Sequence, residues 1–266
     1  MSEEDTHQTD LIIAARMADA ARAAIAPHFR QPLAVENKLQ AGFDPVTIAD
    51  RASETAMRAV LAEMAPEDGI LGEEFAAKPG LNGRQWVLDP IDGTRAFIAG
   101  LPSWTVLIAL SDHGCPRIGL IDQPLTEERF TGWPGGARWQ RGSETRNLNT
   151  SQTTALPDAI LSTTDPFLFQ GGEASVFERL RATVQLCRYG YDAYAYAMLA
   201  MGGVDLVVES GLQTYDVQAI MPVVQGAGGV MTNWSGGDCS GGGQVIAAAN
   251  HALHAEALAL LKPAAL

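Results

Sequence analysis

The stretch "WVLDPIDGTRAF", residues 86–97, places two carboxylates close together at the end of an apolar segment. Asp89 and Asp92 would repel each other there unless a positive charge lay between them. Pro90 cannot continue a β-ladder, and Gly93 permits an unusual backbone turn. The stretch therefore predicts a strand that ends at Asp89 and then a turn into a short helix.

A junction between a strand and a helix suits both a cation and an anion. Hard divalent cations take oxygen ligands, and free N–H groups at a helix start favour phosphate oxygens. Two such cations about 3.5–4 Å apart need several carboxylates, and Glu73 in "GEEF" and Asp216 in "TYDVQAI" are further candidates. On the residues alone, however, an N-cap is the more common role of an isolated Asp before a helix.

Composition limits the classes of partner. The chain has 266 residues, 47% of them hydrophobic, which is enough for one large domain or two joined halves. The net charge of -13, without a Lys/Arg cluster, argues against nucleic acid as a partner. Because so acidic a protein repels anions, a phosphate would bind only through a metal.

Cysteine content and hydropathy bear on location. The three cysteines form no CxxC pair, so a disulfide framework and a zinc cluster are not expected, and a reducing cytoplasm is. No apolar run approaches the length of a membrane-spanning helix, and the N-terminus lacks the apolar region of a signal peptide. We therefore expect a cytoplasmic protein with no membrane partner.

Hydrophobic periodicity predicts alternating helices and strands. Helices are predicted over 10–30, 48–64 with Thr47 as N-cap, 173–183, 191–201, 215–226 and 251–261. Strands are predicted over 69–75, 84–89, 103–110, 117–123, within 127–141, and over 159–163, 184–188, 204–209, 229–233 and 244–248. The pattern indicates an α+β half at 1–150, carrying most candidate ligands, and an α/β half at 151–266.

Three separated motifs together resemble a known family. "GEEF" (72–75), "WVLDPIDGTRAF" and "YDVQAIMPVVQGAGG" (215–229) occur in the order found in the inositol monophosphatase family of metal-dependent, lithium-sensitive phosphatases. The likeness extends from "DPVTIADRASE" (44–54) to "VIAAAN" (245–250). It implies a layered α-β-α-β-α fold, a homodimer, and Mg²⁺ as cofactor at about two or three ions per site, with Mn²⁺ as a substitute.

The resemblance also implies a set of metal ligands. Glu73 corresponds to a ligand that also contacts the attacking water, and Asp89 to a carboxylate that bridges two ions. Ile91 would offer its backbone carbonyl and Asp92 its carboxylate to the second ion. Asp216 would complete the set from the second half of the chain.

Phosphate binding and water activation follow from the same likeness. Gly93 and Thr94 would donate backbone N–H groups to the phosphate. The Thr94 hydroxyl, paired with Asp44, corresponds to the group that activates water together with Glu73. Attack on phosphorus would be direct, because phosphoryl transfer mainly requires positioning and charge stabilisation.

The substrate-facing stretch "CRYGYDAYAYAML" (187–199) most resembles the bacterial histidinol-phosphatase branch of the family. Asp192 and Glu209 would hold the amine and the imidazole of the substrate, and Arg188 would support the loop or contact phosphate. Alternatives remain open, since Asp192 could cap the next helix and Glu209 could be a charge at the rim. Two tyrosines in the stretch, Tyr194 and Tyr196, are expected to pack in the core.

These observations predict a phosphomonoesterase that acts on a small phosphate ester, L-histidinol phosphate. One alternative keeps the chemistry but changes the substrate to inositol 1-phosphate, another sugar phosphate or a phosphoadenosine nucleotide. Another alternative, from a different class, is a non-catalytic metal-binding or regulatory protein on the same scaffold.

Overall fold

The computed structural model describes residues 3–32, 35–37 and 45–266. The helices of the described residues are α1 (Glu3–Ile25), α2 (Ile48–Met64), α3 (Thr94–Ile98), α4 (Gly172–Thr183), α5 (Asp192–Ala200), α6 (Thr214–Val217), α7 (Ile220–Gly226) and α8 (His251–Leu261). Thr47 caps α2 as predicted: its side-chain oxygen accepts from Ala49 N–H at 3.1 Å, and Asp50 accepts from Thr47 N–H at 2.8 Å.

The first half of the chain forms a seven-stranded sheet. Its strands, in spatial and chain order, are β3 (Gly69–Gly72), β4 (Arg84–Asp92), β5 (Thr105–Asp112), β6 (Cys115–Gln123), β7 (Glu128–Trp133), β8 (Gly136–Arg141) and β9 (Glu144–Asn147). β3 and β4 are parallel, and all later neighbours are antiparallel. A separate short pair joins β1 (Glu36–Asn37) to β2 (Pro45–Val46).

The second half forms a five-stranded mixed sheet. Its strands are β10 (Ile160–Thr163), β11 (Leu186–Tyr189), β12 (Leu206–Leu212), β13 (Val230–Asn233) and β14 (Gly243–Ala248), in the spatial order β11-β10-β12-β14-β13. β10 runs parallel to both β11 and β12, whereas β14 is antiparallel to its two neighbours.

Alternate side chains of the strands fill three hydrophobic layers. Trp86 and Leu88 on β4 pack against α1 and α2, whereas Val87 between them faces the opposite side. That opposite side meets α5 and α7, which also pack against Val207 on β12 of the second sheet. The outer face of the second sheet meets α4 and α8 through residues such as Val208. This is the predicted α-β-α-β-α sandwich.

Several element boundaries differ from the prediction. β4 continues beyond its predicted end at Asp89 to Asp92, past an irregularity in its pairing with β5. α1 ends at Ile25, and the chain turns before Arg30, whose φ is 58°. β3 ends at Gly72, so the two acids that follow it lie outside the strand. The predicted helix 215–226 is two helices, because Pro222 has no N–H to donate to the Gln218 carbonyl at the break between α6 and α7. The proposed division near residue 150 stays a prediction.

Candidate active site

Three aspartates converge where β4 meets α3. Carboxylate oxygens of Asp89, Asp92 and Asp216 lie within 4.8 Å of one another. The pairing of β4 with β5 shifts register between Asp89 and Asp92, and Gly93, at φ 81°, then turns the chain into α3. A side chain at position 93 would be strained at that φ, so glycine allows the turn that brings Asp92 to the cluster.

Local hydrogen bonds orient the three carboxylates. Ile91 N–H donates to Asp89 Oδ1 at 3.1 Å. Asp216 Oδ2 accepts from Gln213 N–H at 2.6 Å in a capping box at the start of α6. Asp216 therefore does contribute to a helix cap, the alternative considered from sequence, but its carboxylate also belongs to the aspartate cluster.

The cluster is electrostatically unfavourable as it stands. Burial raises the pKa of Asp89 well above its ordinary value, and the charges of Glu73, Asp92 and Asp216 raise it further. Desolvation likewise raises the pKa of Asp92, with the charges of Asp192 and Asp216 adding to the effect, while the Ala193 N–H opposes it. A cation among these oxygens would remove the repulsion that raises both pKa values.

The aspartate cluster fits a hard divalent cation. It offers only oxygen donors, and Mg²⁺ is commonly bound by a few carboxylates together with water and substrate phosphate. Asp89 is 2% exposed, so its charge has little water to solvate it. The donor set and this lack of solvent match the metal dependence that the sequence predicted.

Glu73 lies just beyond β3, on a loop held by α2. Its backbone N–H donates to the Leu88 carbonyl at 3.2 Å, next to the start of the aspartate cluster. Glu54, fully buried on α2, accepts the N–H of Glu74 at 2.7 Å and the Nε of Arg58 at 2.7 Å. The carboxylate of Glu73 acts on the pKa of Asp89, as expected for a fourth acid at the same site.

The remaining residues of the predicted catalytic set lie at the start of α3. The Thr94 Oγ1 donates to the Ile91 carbonyl at 3.1 Å, so the hydroxyl and this carbonyl are adjacent. Gly93 and Thr94 both line the neighbouring cavity. Asp44, the predicted partner of the Thr94 hydroxyl, lies outside the described residues.

A cavity of about 230 Å³ opens beside the aspartate cluster. Residues from both halves of the chain line it: Asp92, Gly93, Thr94, Arg95, Thr164, Leu168, Asp192, Ala193, Tyr196, Glu209, Ser210, Gly211, Leu212 and Asp216. Asp92 and Asp216 of the aspartate cluster thus form part of the cavity wall, and the candidate substrate residues Asp192 and Glu209 form another part.

Asp192 is the first residue of α5 and faces the cavity. The N-cap of α5 is Tyr191, so the capping role considered for Asp192 is not the one it adopts. The φ of Asp192 is 46°, a left-handed conformation that is unusual for a residue other than glycine. The next N–H, of Ala193, donates to Asp92 Oδ2 at 2.7 Å. Burial raises the pKa of Asp192 to about 6, although the charge of Arg95 opposes the shift.

Glu209 lines the cavity and is buried, so the alternative of a charge at the rim is wrong. It is 3% exposed and accepts from Thr164 N–H at 2.7 Å, Thr164 Oγ1 at 2.9 Å and Thr163 Oγ1 at 3.3 Å. Burial nevertheless raises its pKa to about 8. A positively charged ligand group would favour the ionised carboxylate.

Arg188, a predicted substrate contact, lies on exposed β11. Its guanidinium donates to the Tyr191 hydroxyl at 3.0 Å and lies 5.9 Å from the centre of that ring. It is not among the residues described as lining the cavity. In this geometry Arg188 supports the loop before α5, which is one of the two roles considered for it.

Sequence reasoning gave no site role to several cavity residues, among them Arg95, Thr164 and Tyr196. Arg95 directly follows Thr94 in the quoted stretch 86–97, and this position next to a predicted catalytic residue could have identified it as a site residue. Thr164 comes directly after β10, at a strand end like Asp92. Tyr196 was expected in the core, and it is indeed buried, but its ring also forms part of the cavity wall.

Known proteins match both this fold and this sequence. The family model for the inositol monophosphatase family matches residues 7–264. A chloroplastic bifunctional phosphatase from Arabidopsis thaliana is 42% identical over 222 residues, 83% of this chain and 63% of the plant protein, so this chain spans less than two thirds of that relative. A histidinol-phosphatase from Mycobacterium tuberculosis is 36% identical over 220 residues, 82% of this chain and 84% of the relative.

A solved structure of an inositol monophosphatase from Zymomonas mobilis superposes with a TM-score of 0.86 at 41% identity, covering 98% of this chain and 100% of that one. The layered fold, the aspartate cluster and these relatives define a phosphatase. The chain belongs to the inositol monophosphatase family, whose members depend on metal ions. The three proteins named above are phosphatases, which favours catalysis over the non-catalytic alternative.

Proposed function

We propose that the chain is a Mg²⁺-dependent phosphomonoesterase that hydrolyses L-histidinol phosphate to L-histidinol and phosphate, a step of histidine biosynthesis. The observation that carries the substrate assignment is the presence of two further carboxylates, Asp192 and Glu209, in the cavity beside the aspartate cluster. Both have raised pKa values because they are buried, so a cationic ligand would be favoured there.

Names of relatives do not by themselves choose the substrate. Proteins named histidinol-phosphatase and an inositol monophosphatase are all similar to this chain. Charge separates the two candidates, because histidinol carries an amine and an imidazole, whereas inositol is a neutral polyol. A neutral polyol would bring no positive charge to the two buried acids, so their ionised forms would stay unfavourable. We therefore treat inositol 1-phosphate as the less favoured, alternative substrate.

The metal would be held by Asp89, Asp92, Asp216 and Glu73, with the Ile91 carbonyl as a further donor. When bound, Mg²⁺ supplies positive charge to the phosphate and makes water more acidic. Mn²⁺ as a substitute, inhibition by Li⁺, a homodimer and a cytoplasmic location belong to the same proposal. The family match and the three free cysteines support it. Within the described part of the chain, no helix is long and apolar enough to cross a bilayer.

The chain's own groups would position the reactants. Gly93 and Thr94 line the cavity and would donate N–H groups to the phosphate oxygens. Glu73 and the Thr94 hydroxyl would orient a water for in-line attack, with Asp44 as the partner of that hydroxyl. Asp192 and Glu209 would hold the amino and imidazole groups, so that the phosphate of the same molecule lies at the aspartate cluster.

The test is a comparison of kcat/KM for L-histidinol phosphate and inositol 1-phosphate with the same Mg²⁺-loaded enzyme. We expect histidinol phosphate to be preferred by at least about a hundredfold, because a buried acid left without its cation is costly. A second measurement on Asp192→Asn should reduce this ratio, since the amide lacks the charge. An equal or greater kcat/KM for inositol 1-phosphate would reject histidinol phosphate as the substrate.

A further inference from the structure

The phenol of Tyr196 is buried in the cavity wall without a protein partner. Tyr196 is 2% exposed and lines the cavity, and no described residue forms a hydrogen bond with its hydroxyl. Buried hydroxyls in native proteins are nearly always paired, because an unpaired one loses its bonds to water. The hydroxyl is therefore an unsatisfied polar group on a side chain that lines the cavity.

A tyrosine two residues earlier on the same helix shows the usual arrangement. The Tyr194 hydroxyl donates to Glu128 Oε2 at 2.6 Å, and Glu128 Oε1 also accepts from Trp139 Nε1 at 3.0 Å. Tyr194 lies against Phe130 and is not among the described residues of the cavity wall. The two tyrosines lie on one helix, but only the hydroxyl of Tyr194 forms a hydrogen bond with a described residue.

Packing alone does not account for the hydroxyl. α5 fills the layer between the two sheets with small residues around Tyr196, among them Ala193, Ala195 and Ala197. A phenylalanine at position 196 would fill the same volume and would leave no buried polar atom unpaired. The oxygen at this position thus costs stability in the free protein, which is the pattern expected of a group that binds a ligand.

The surrounding charges indicate the kind of group that would pair with it. Glu209 and Asp92, whose charges act on the phenol, already accept N–H groups from Thr164 and Ala193. Both remain able to accept further hydrogen bonds, because a carboxylate has about four acceptor sites. A ligand ammonium, with three N–H donors, could therefore donate to Glu209 and to the Tyr196 oxygen at the same time.

We propose that Tyr196 is a substrate-binding residue whose hydroxyl oxygen accepts a hydrogen bond from the amino group of the alcohol portion of the substrate, beside Glu209. The identification of that amino group rests on the proposed function. The contact makes Tyr196 a determinant of specificity, because a substrate without the amino group leaves the phenol unpaired.

The experiment compares Tyr196→Phe with the matched control Tyr194→Phe. The substrates are L-histidinol phosphate, its analogue in which hydrogen replaces the amino group, and p-nitrophenyl phosphate. For Tyr196→Phe we expect kcat/KM for histidinol phosphate to fall about ten- to a hundredfold, since a hydrogen bond to a charged group is lost. We expect the values for the other two substrates to stay within about twofold of the wild type.

The control separates binding from structure. Tyr194→Phe should lower the melting temperature and change all three kcat/KM values by the same factor, because it breaks a structural hydrogen bond. Tyr196→Phe should have a melting temperature, without substrate, equal to or above that of the wild type. Equal losses on all three substrates for Tyr196→Phe, or no loss on any, would overturn the proposal.

The two proposals fail in different ways. If the wild type prefers inositol 1-phosphate to histidinol phosphate, the proposed function fails and the amino group is rejected as the partner of Tyr196. If the wild type prefers histidinol phosphate but Tyr196→Phe retains that preference over the analogue without the amino group, only the role of Tyr196 is rejected.

Discussion

At the scale of the residue, the chemistry of the site depends on acids that burial holds away from their ordinary pKa values. Glu209 shows this most clearly, because its partners are the hydroxyl and amide groups of Thr163 and Thr164 and its pKa is nevertheless raised to about 8. The three hydrogen bonds to Glu209 favour its charged form and lower its pKa, but they do not offset the rise in pKa that burial away from water causes. Binding of an ammonium would therefore release a proton from Glu209 between about pH 4.5 and 8.

The raised pKa of Glu209 predicts how stability depends on pH in the metal-free protein. Above the ordinary value of 4.5 the unfolded chain loses this proton while the folded protein keeps it. The contribution of Glu209 to the free energy of unfolding should therefore be largest at low pH and should fall as pH rises towards 8, by up to about 1.4 kcal/mol per pH unit. In Glu209→Gln, which mimics the protonated form, this component of the pH dependence should be absent.

Urea unfolding of both proteins in EDTA between pH 5 and about pH 8.5 measures the difference. Other buried acids, such as Asp89, contribute the same slope to both proteins and cancel in the comparison. Curves that stay parallel over the whole range would show that Glu209 does not keep its proton in the folded state.

At the scale of the element, the loop that carries Glu73 depends on a helix that sequence analysis did not connect with it. Glu54 on α2 accepts the N–H of Glu74, and a Cβ at Gly72 would come 2.0 Å from Glu54 Oε1. Glycine is therefore required for this close approach between the strand end and the helix. The capping box at Thr47 sets where α2 begins, and hence where Glu54 lies.

We predict that Glu54→Ala will destabilise the protein by about 2–4 kcal/mol and reduce kcat at least tenfold. The change leaves the Glu74 N–H and the Arg58 guanidinium without their buried acceptor. Urea unfolding gives the first quantity, and steady-state kinetics at saturating Mg²⁺ gives the second.

The matched control removes an exposed ion pair from the same helix. Glu36 pairs with Arg51 on α2 at 2.6 Å, but both side chains are largely in water. Glu36→Ala should leave the free energy of unfolding and kcat close to the wild-type values, since surface ion pairs contribute little. Equal effects of the two variants would contradict a positioning role for Glu54.

At the scale of the whole molecule, the site exists because two sheets pack on the same layer of helices. α7 packs against β6, β7 and β8 of the first sheet, and α5 lies between the two sheets. The packing of α6 and α7 brings Asp216 to Asp92, and the position of α5 brings Asp192 and Tyr196 to the same cavity. Metal binding should accordingly stabilise the whole fold.

Mg²⁺ should reverse the effect of Asp92→Asn on the melting temperature. Without metal, Asp92→Asn should melt higher than the wild type at pH 8, because it removes like-charge repulsion from Asp89 and Asp216. With Mg²⁺ at a hundred times its Kd, the wild type should gain about 2.7 kcal/mol. That gain corresponds to about 5–10 °C in Tm, and the variant should gain little.

Thermal unfolding in EDTA and in Mg²⁺ tests both parts of this prediction. Asp158→Asn, an exposed aspartate away from the aspartate cluster, serves as the control and should shift with Mg²⁺ as the wild type does. A Mg²⁺ shift in Asp92→Asn as large as that of the wild type would remove Asp92 from the set of proposed ligands.

Much of the fold was predictable because its signals are local. The Thr47 cap, the turn at Gly93 and the helix 251–261 depend on neighbours within a few residues. The break at Pro222 was also present in the sequence but was missed, because the apolar pattern continues across it. The prediction of a single helix failed because the apolar periodicity of residues 215–226 and the helix-breaking effect of Pro222 overlap in the same segment.

The motifs of the sequence by themselves determined the family, and the resemblance implied the order of the layers. The turn at Gly93 follows from the backbone freedom of glycine. Only the tertiary structure decided that Glu209 is buried, that Asp192 is not a cap and that the Tyr196 hydroxyl has no partner among the described residues. The physical reason is that burial and hydrogen bonding of a side chain depend on elements that are remote in the chain and adjacent only after packing.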